Sequence, residues 1–432
     1  MIWNESKECM SRDEMHHMQS VRLSKLVKRI YHNVPYYRKK MQEVGIEPWD
    51  IKTVEDISKL PFTTKEDLRD NYPFGLFAVP MTEVVRLHAS SGTTGKATVV
   101  GYSRRDIEIW TECVTRVLAM AGIGKDDKIQ VSYGYGLFTG GLGLHYGAEN
   151  VGATVVPMST SGTKKQITMM EDFKCTAVAC TPSYLLHLIE EIKEKGNLSE
   201  VHLKAAICGG EPWTDNMREN IENNLNSKAY DIYGLSEIMG PGVAADCRYH
   251  KGLHIYEDHF LPEIINSDTL EQVPEGEAGE LVITTLTKEA FPLIRYRTKD
   301  LTSISYDKCD CGRTLARISR FTGRSDDMLV IRGVNVFPSQ VEAALLELGE
   351  TKPYYMIIVD RVDNMDTFEV WVEVDEKFFS DEIRELEKLR QKIAHGLRQA
   401  LGLNVKVKLV EPKTIERTSG KSTRVIDKRI LV

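Results

Sequence analysis

Hydroxyl side chains, glycines and one lysine are concentrated in a short segment of this chain, residues 87–98, which reads LHASSGTTGKAT. Glycines allow several main-chain N–H groups to converge on anionic oxygens, while serine and threonine hydroxyls add donors and a lysine adds positive charge. The segment is therefore predicted to bind a polyphosphate. The predicted contacts are Ser90, Ser91, Gly92, Thr93, Thr94, Gly95 and Lys96.

The spacing of the glycines excludes the Walker type of phosphate-binding loop. That loop requires four residues between its first glycine and the Gly-Lys pair. Here only Thr93 and Thr94 separate Gly92 from Gly95. An ordinary surface loop rich in serine and glycine is the alternative interpretation of the segment taken alone, and the motifs further along the chain favour the functional interpretation.

The composition is that of a globular protein with room for two or three domains: 432 residues, 42% hydrophobic and 28% charged. No apolar run approaches the roughly 18 residues of a membrane span, and the amino terminus lacks a secretory signal pattern, so no membrane association is expected. The net charge of −7, with scattered lysines and arginines, argues against a nucleic-acid-binding surface. Eight cysteines in so long a chain do not form a disulfide framework. The protein is therefore predicted to reside in the reducing cytoplasm.

Strands that alternate with helices are expected to position the candidate residues. The first 80 or so residues form charged helical segments without recognisable chemistry. From Val84 to about Asp300, apolar strands end in small and polar residues before helices, which predicts a layered α/β sheet. Ligands bind at the carboxyl ends of such strands, and Gly209–Glu211 and Tyr233–Glu237 both fall there.

A smaller domain is predicted after residues 323–327. Helical periodicity is found in Pro338–Leu348 and Asp381–Leu401, and strand patterns are found in Tyr354–Asp360, Thr367–Val374 and Val405–Val410. The expected division is therefore a large domain, residues 1–325, and a small mobile α+β domain, residues 326–432. The large domain comprises a helical segment, residues 1–80, and an α/β core, residues 81–325.

Several motifs occur in the order found in adenylate-forming enzymes, the acyl-CoA synthetase superfamily. They are Ser90–Lys96, Tyr233–Glu237, Tyr296–Asp300, Gly323–Asp327 and Thr418–Lys421. Further segments resemble the phenylacetate-CoA ligase branch of that superfamily, and the resemblance extends over essentially the whole chain. These segments are Gly252–Phe260, Leu286–Pro292 and Asp326–Gln340.

The resemblance implies a reaction in two steps. A carboxylate attacks the α-phosphate of ATP to give an acyl-adenylate and pyrophosphate, and the thiol of coenzyme A then displaces AMP. ATP with Mg²⁺, coenzyme A and an aryl acid are the implied small-molecule partners, with phenylacetate as the leading acid. Indoleacetate, hydroxyphenylacetate and benzoate-like acids remain open, because one methylene or hydroxyl in an apolar pocket discriminates by only about 1–3 kcal/mol. The family also suggests a homodimer, which the sequence itself leaves open.

The resemblance assigns roles in nucleotide binding to single residues. Glu237 matches the magnesium ligand, Asp300 the acid that chelates the ribose hydroxyls, and Tyr233 the ring that stacks on adenine. Arg324 would reach the ribose or a phosphate, where its planar fork is better suited than a lysine. A structural ion pair between Asp300 and Arg324 is the alternative. The other residues predicted at this site are Gly210, Glu211, Gly234 and Ser236.

Three residues of the carboxyl-terminal part match positions that act when the small domain moves. Lys421 matches the lysine that contacts the substrate carboxylate and the α-phosphate during adenylation, and a solvated basic tail is the alternative. Asp326 is the candidate hinge, and Gly333 matches the glycine of the tunnel for the pantetheine arm. Asn335 stands where some acyl-CoA synthetases have a phosphate-binding arginine, so no catalytic role is assigned to it.

Cys247, His254, Cys309 and Cys311 form a candidate structural zinc site, since three cysteines and a histidine are a common tetrahedral ligand set. Their spacing is less specific than paired C-x-x-C motifs, and unrelated reduced thiols are the alternative. His254 is preferred because it lies in the segment that matches the family. His250 and His259 are the other candidates for the fourth ligand.

The acyl pocket is predicted beside residues 133–141, where aromatic residues alternate with glycines. Tyr135 and Phe138 could enclose an aryl ring, with Ile238 and Pro241 as apolar walls, although such aromatics more often only pack a core. Two other functions remain open. The enzyme could transfer its acyl group to the phosphopantetheine of a carrier protein, or the chain could be a nucleotide-binding protein without catalysis. Glu237, Asp300 and Lys421 argue against the latter.

Overall fold

The chain folds around three larger sheets, of which two belong to the amino-terminal part and one to the carboxyl-terminal part. The structure is a computed structural model. It describes residues 1–89, 98–195, 200–325, 329–331, 334–348, 354–362, 365–374, 383–416 and 424–429.

The α-helices of the described residues are distributed along the whole chain. They are α1 (Glu5–Glu8), α2 (Arg12–Asn33), α3 (Pro35–Glu43), α4 (Lys65–Asp70), α5 (Arg104–Met120), α6 (Gly140–Val151), α7 (Thr163–Asp172), α8 (Pro182–Lys195), α9 (Asp215–Leu225), α10 (Pro338–Glu347) and α11 (Ile383–Leu401). Short 3₁₀ helices span Pro48–Asp50, Val54–Lys59 and Met81–Glu83.

The strands of the same residues are mostly short. They are β1 (Val84–Ala89), β2 (Val99–Ser103), β3 (Lys128–Val131), β4 (Thr154–Pro157), β5 (Ala177–Cys180), β6 (Ala205–Gly209), β7 (Lys228–Leu235), β8 (Gly240–Asp246), β9 (Leu253–Ile255), β10 (Phe260–Ile265), β11 (Gly279–Thr285), β12 (Tyr296–Thr302), β13 (Ile304–Ser305), β14 (Arg317–Ile318), β15 (Gly323–Arg324), β16 (Leu329–Ile331), β17 (Val334–Val336), β18 (Tyr355–Val362), β19 (Met365–Glu373), β20 (Lys406–Val410) and β21 (Val425–Asp427).

The largest sheet has nine strands in the order β13-β14-β9-β8-β7-β6-β5-β3-β4. Strands β3 to β7 are parallel, and β8, β9, β14 and β13 continue the sheet in antiparallel fashion. Every residue of β5 and of β6 is buried, as expected for parallel strands covered on both faces. The carboxyl ends of β5, β6 and β7 consequently share one edge of the sheet. The ligand-binding motifs were predicted from the sequence to lie at this edge.

A second, antiparallel sheet has the order β10-β11-β12-β15. In its last strand pair, Asp300 lies opposite Arg324 and Leu301 lies opposite Gly323. Strand β15 is thus hydrogen-bonded beside the Asp300 motif immediately before the chain continues into the carboxyl-terminal part.

The carboxyl-terminal part has its own sheet, in the order β20-β19-β18-β21, and its own hydrophobic core. Strands β18 and β19 are antiparallel, while β20 and β21 join them in parallel. Helices α10 and α11 contact each other and contribute Val341, Leu345, Ile393 and Leu397 to the core. The predicted helices and strands of this part are all present, which agrees with the predicted α/β and α+β layers.

Local capping explains why helix α2 begins before the helix that the sequence pattern predicts. The sequence pattern predicts a helix over Arg22–His32, whereas α2 already begins at Arg12. The side chain of Ser11 accepts a hydrogen bond from the Glu14 N–H and the Glu14 carboxylate accepts from the Ser11 N–H, which makes a capping box. Among the described residues, no helix has both the length and the apolar character needed to cross a membrane.

Candidate active site

Strands β1 and β2 flank the predicted phosphate-binding segment. They pair in antiparallel fashion, with Ala89 opposite Val99, so the two ends of the segment lie side by side. The Ala89 N–H also donates to the Leu137 carbonyl oxygen at 3.0 Å, which ties the end of β1 to the loop after β3. The predicted contacts between these strands, Ser90, Ser91, Gly92, Thr93, Thr94, Gly95 and Lys96, lie outside the described residues.

Glu237 lies in the tight turn that joins β7 to the antiparallel strand β8. The turn requires Gly234, because a Cβ atom there would lie 1.9 Å from the Gly240 carbonyl oxygen. Ser236 adds a hydrogen bond between its Oγ and the Thr139 Oγ1 at 3.0 Å. The Glu237 side chain is 7% exposed, and no hydrogen bond joins its carboxylate to another described side chain. A buried carboxylate of this kind is well suited to bind a cation.

Two side chains that the sequence analysis missed hold the main chain of this turn. The Lys288 Nζ donates to the carbonyl oxygens of Glu237 at 3.2 Å and Ile238 at 2.9 Å. The Tyr102 hydroxyl donates to the Met239 carbonyl oxygen at 3.0 Å. The only signal in the sequence was that Lys288 lies in the Leu286–Pro292 segment, which resembles the family but had no assigned chemistry.

Asp300 lies between two of the residues predicted to bind the nucleotide. Its Oδ2 accepts a hydrogen bond of 2.6 Å from the Tyr233 hydroxyl, and its Oδ1 is 2.8 Å from Arg324 Nη1. The ion pair considered as the alternative is therefore present. It leaves the predicted role open, because each carboxylate oxygen can accept more than one hydrogen bond. Burial, followed by the nearby charge of Asp300, raises the pKa of Tyr233 well above its usual value, so its hydroxyl remains a donor.

Phe321 is a further residue of this region that the sequence analysis missed. Its ring centroid is 4.3 Å from that of Tyr233, and the two rings are inclined by 34°. Phe321 just precedes strand β15, so the Tyr233 ring is supported by the segment that leads into the carboxyl-terminal part. This contact would fix the plane of Tyr233 on which an adenine is predicted to stack.

Gly210 and Glu211 follow strand β6, as predicted. Gly210 has a φ of +85°, a conformation that favours glycine. The Glu211 Oε1 accepts a hydrogen bond of 2.8 Å from the Ser183 N–H in the first turn of α8, where main-chain donors lack partners within the helix. The Tyr133 hydroxyl lies 2.7 Å from the Cys180 carbonyl oxygen and 3.0 Å from that of Gly209, so it joins the ends of β5 and β6.

Two of the residues predicted for the acyl pocket, Tyr135 and Pro241, lie close to glycines at the start of α6. A Cβ atom at Gly141 would lie 2.9 Å from Tyr135 Cδ2, and one at Gly143 would lie 2.9 Å from Pro241 Cγ. Ile238 is fully buried, whereas the Phe138 side chain is 45% exposed and therefore open to solvent on one side. The Tyr135 hydroxyl lies 3.3 Å from His145 Nδ1.

Cys247, His254, Cys309 and Cys311 are brought together by the fold, with their ligand atoms all within 4.8 Å of one another. The Sγ atoms of Cys247 and Cys309 are 3.8 Å apart, and Cys311 Sγ is 3.5 Å from His254 Nε2. The cysteines are free thiols, since a disulfide would need a sulfur–sulfur distance of about 2.05 Å. The sequence therefore identified a real cluster of potential metal ligands.

The other two candidate histidines belong to different networks. His250 Nδ1 is 2.9 Å from Asp246 Oδ2. His259 Nδ1 is 2.8 Å from the Thr287 hydroxyl, and its Nε2 is 3.1 Å from Asp258 Oδ2. His254 is thus the histidine that the structure places beside the cysteines. The predicted residues Asp326, Gly333 and Lys421 lie outside the described part of the chain.

Comparison with known proteins first defines the class. The profile described as "AMP-binding enzyme" matches residues 43–287, and the profile described as "AMP-binding enzyme C-terminal domain" matches residues 333–429. The fold and both profiles therefore identify an adenylate-forming enzyme. This confirms the fold class predicted from the sequence.

Near-full-length relatives define the family more closely. Phenylacetate-coenzyme A ligase of Thermus thermophilus is 48% identical over 99% of this chain and 100% of its own length. The Escherichia coli enzyme of the same name is 48% identical over 98% of this chain and 97% of its own. The chain belongs to the phenylacetate-coenzyme A ligase family, which confirms the predicted family and the AMP-forming ligase class.

One solved relative matches in two different states. 2-Hydroxyisobutyryl-CoA ligase in its postadenylation state has a TM-score of 0.92 at 30% identity, with 98% of this chain and 91% of that chain covered. In its thioesterification state, with an acyl-AMP and coenzyme A, the same enzyme gives 0.73 at 30% identity, over 98% of this chain and 92% of that chain.

Proposed function

We propose that this chain ligates phenylacetate, or a closely related aryl acid, to coenzyme A through an acyl-adenylate, with conversion of ATP to AMP and pyrophosphate. The observation that carries the proposal is the 48–49% identity to phenylacetate-coenzyme A ligases over 98–99% of the chain. Coverage of this extent includes both the large and the small domain.

In the proposed first step, the acid's carboxylate attacks the α-phosphate while protein groups hold ATP in place. Asp300 would accept hydrogen bonds from the ribose hydroxyls, since the Tyr233 hydroxyl and Arg324 keep its carboxylate in one orientation. Glu237 would hold Mg²⁺, which neutralises phosphate charge when it is bound. Lys96 and Lys421 would supply further positive charge at the phosphates. Most of the rate acceleration then comes from charged groups that are already positioned around the phosphates before the reaction begins.

In the proposed second step, the small domain turns about Asp326 and brings Gly333 to the tunnel that admits the pantetheine arm. Two observations support a separate small domain in the carboxyl-terminal part. The profile of the C-terminal domain begins at residue 333. The chain also matches one state of 2-hydroxyisobutyryl-CoA ligase better than another, at TM-scores of 0.92 and 0.73, as expected if the small domain has a distinct position in each state.

Acid-dependent release of pyrophosphate from ATP and magnesium tests the proposal directly. Phenylacetate, hydroxyphenylacetate, indoleacetate, benzoate and an alkyl acid would be compared with and without coenzyme A. We expect the highest kcat/KM with phenylacetate and repeated turnover only with coenzyme A. Release with an aryl acid but no turnover with free coenzyme A would favour a carrier-protein acceptor. No release with any acid would favour a protein that binds nucleotide without catalysis.

Replacing Asp300 with asparagine is expected to raise the KM for ATP by roughly tenfold or more. A charged acceptor contributes about 1.5–3 kcal/mol to a hydrogen bond, and asparagine presents only one oxygen to the ribose. The comparison of ATP with 2′-deoxy-ATP gives the diagnostic measurement. The wild type should prefer ATP, and Asp300→Asn should lose most of that preference.

An Arg324→Met variant breaks the same ion pair while it leaves the carboxylate in place. Because Arg324 is itself proposed to reach the ribose or a phosphate, the two variants are compared in their preference for the 2′-hydroxyl, which Arg324→Met should retain to a larger extent than Asp300→Asn. An Asp300→Asn variant with an unchanged KM for ATP and an unchanged preference for the 2′-hydroxyl would contradict the assigned role. It would favour the purely structural ion pair.

We propose that the Cys247, His254, Cys309 and Cys311 cluster binds one structural zinc ion. With zinc–sulfur bonds of about 2.3 Å and zinc–nitrogen bonds of about 2.0–2.1 Å, tetrahedral geometry requires sulfur–sulfur distances of about 3.8 Å and sulfur–nitrogen distances of about 3.6 Å. The Cys247 and Cys309 Sγ atoms are 3.8 Å apart, Cys311 Sγ is 3.5 Å from His254 Nε2, and the four ligand atoms all lie within 4.8 Å of one another. Since all four ligands would come from the protein, no position remains for a reactive water.

A further inference from the structure

We propose that Lys288 and Tyr102 are positioning residues for adenylation, which together fix the turn that carries Glu237. The inference rests on the proposed function, because it assigns these two side chains a purpose only if Glu237 binds the magnesium of MgATP. Neither side chain is proposed to touch the substrates. They would act through the main chain of the turn, and thereby through the direction in which the Glu237 carboxylate points.

The evidence begins with the main-chain carbonyl groups of the turn. Buried carbonyl oxygens need hydrogen-bond donors, and a tight turn leaves some of them without partners in the sheet. The oxygens of Glu237 and Ile238 accept from Lys288 Nζ at 3.2 and 2.9 Å. The oxygen of Met239 accepts from the Tyr102 hydroxyl at 3.0 Å, and that of Ser236 lies 3.5 Å from the same hydroxyl. Two side chains thus contact the carbonyl oxygens of the entire turn.

Lys288 is an unusual residue to find at this position. It is 2% exposed, and its Nζ lies over the rings of Tyr102 and Phe291, 4.7 and 5.3 Å from their centroids. The nearby charges of Asp106 and Glu237 stabilise the ammonium through space, but burial dominates and lowers the pKa of Lys288 to about 8. Placing a cation here costs free energy that an apolar side chain would not cost. The hydrogen bonds that the lysine donates to the turn compensate for this cost.

The chain immediately after Lys288 is itself anchored by hydrogen bonds. The carboxylate of the buried Asp106 accepts hydrogen bonds from the N–H groups of Glu289 at 2.6 Å, Ala290 at 2.9 Å and Ser103 at 2.9 Å. Asp106 therefore joins the segment after Lys288 to the start of α5. The lysine stem consequently begins from a fixed main chain, as required of a side chain that must define the position of another segment.

Tyr102 links the turn to the predicted phosphate-binding segment. It lies on β2, the strand that follows residues 90–97, and it is fully buried with its ring stacked on Trp110 at 5.2 Å and 18°. Burial, together with the charges of Asp106 and Glu237, raises the pKa of Tyr102 well above its usual value, so its hydroxyl remains a donor. The strand that follows the predicted phosphate-binding segment in the chain therefore also contacts the Glu237 turn.

The test compares Lys288→Met and Tyr102→Phe with the matched control Tyr37→Phe. Tyr37 is also a buried tyrosine, but its hydroxyl lies 3.1 Å from the Thr63 hydroxyl in the amino-terminal part and has no contact with the turn. Three quantities are measured for each variant: the Mg²⁺ concentration for half-maximal pyrophosphate release, the thermal unfolding midpoint, and the rate of thioester formation from supplied phenylacetyl-adenylate. Wild type and Glu237→Gln are measured in parallel.

We expect Lys288→Met to raise the required Mg²⁺ concentration by about 10- to 100-fold, the range found when residues that orient metal ligands are removed. Tyr102→Phe should raise it by several-fold and Tyr37→Phe should leave it unchanged. Thioester formation from the adenylate should stay within about twofold of wild type in all variants, because that step requires neither ATP nor Glu237. A general loss of structure would instead slow both half-reactions together.

The outcomes separate this inference from the proposed function. If wild type releases pyrophosphate and Glu237→Gln raises the Mg²⁺ requirement, but Lys288→Met and Tyr102→Phe behave as Tyr37→Phe does, the inference is wrong and the proposed function stands. If wild type releases no pyrophosphate with any acid, the proposed function fails first. Should Lys288→Met fail to fold, Tyr102→Phe decides the matter, since it removes a single oxygen atom.

Discussion

Replacing Lys421 with alanine is expected to slow pyrophosphate release by at least about a hundredfold, the loss typical when one group that stabilises transition-state charge is removed. Negative charge develops on the α-phosphate as the acid's carboxylate attacks, and the lysine ammonium offsets it. Thioester formation from supplied phenylacetyl-adenylate should remain near the wild-type rate, because the lysine serves only the first step in the proposed sequence. Rapid-quench measurement of both half-reactions checks the prediction.

Lys413→Ala is the appropriate control for this variant. Lys413 belongs to the same carboxyl-terminal part, is two-thirds exposed and lies 4.0 and 3.9 Å from Glu191 and Glu194 of α8. Exposed ion pairs of this kind contribute little, so both half-reactions should be unchanged. Pyrophosphate release that persists at the wild-type rate in Lys421→Ala would show that the Thr418–Lys421 motif is a solvated tail here.

Loss of the proposed zinc ion should produce the largest effect on stability. We expect Cys309→Ser to lower the midpoint of thermal unfolding by roughly 5–10 °C and to abolish zinc binding, because binding to a structural site adds directly to the free energy of folding. Elemental analysis of the purified wild type should find about one zinc ion per chain. The KM values for ATP and phenylacetate should remain unchanged at temperatures where the variant is folded.

The fold separates the proposed zinc site from the proposed catalytic site. Glu237 lies in the turn before β8, whereas Cys247 directly follows the end of that seven-residue strand at Asp246. At about 3.4 Å per residue, the strand places the two sites about 20 Å apart. Cys175→Ser is the control for loss of a buried thiol, since Cys175 is 2% exposed and lies outside the cluster. A wild type without metal, equally stable after treatment with a chelator, would rule out the zinc site.

Features set by neighbouring residues were predictable from the sequence. Glu237 was predicted after the end of a strand, and it lies in the turn between β7 and β8. Helices α10 and α11 and the strands between them were predicted from periodicity alone, because each has one buried face. The ligand set of the proposed zinc site was also identified in advance, since cysteine and histidine residues are the protein ligands that zinc prefers.

Contacts between distant segments were not predictable in this way. Lys288 and the Ile238 carbonyl oxygen that it contacts are 50 residues apart in the chain. Tyr102 and the Met239 carbonyl oxygen are 137 residues apart. The ring contact between Phe321 and Tyr233 and the ion pair of Asp300 with Arg324 depend likewise on where strand β15 pairs. The pattern of residue types does not determine which distant residues come into contact, because many strand arrangements are compatible with the same alternation of apolar and polar residues.

The sequence alone thus determined the family, the two-step chemistry it implies, the order of the motifs and most of the elements that bear them. The tertiary structure decided which histidine joins the cysteines, which partners orient Asp300, and which side chains support the Glu237 turn. The physical reason is that local structure follows from short-range periodicity and capping, whereas a hydrogen bond requires two groups within about 3 Å. That proximity is defined only after the sheets have packed against one another.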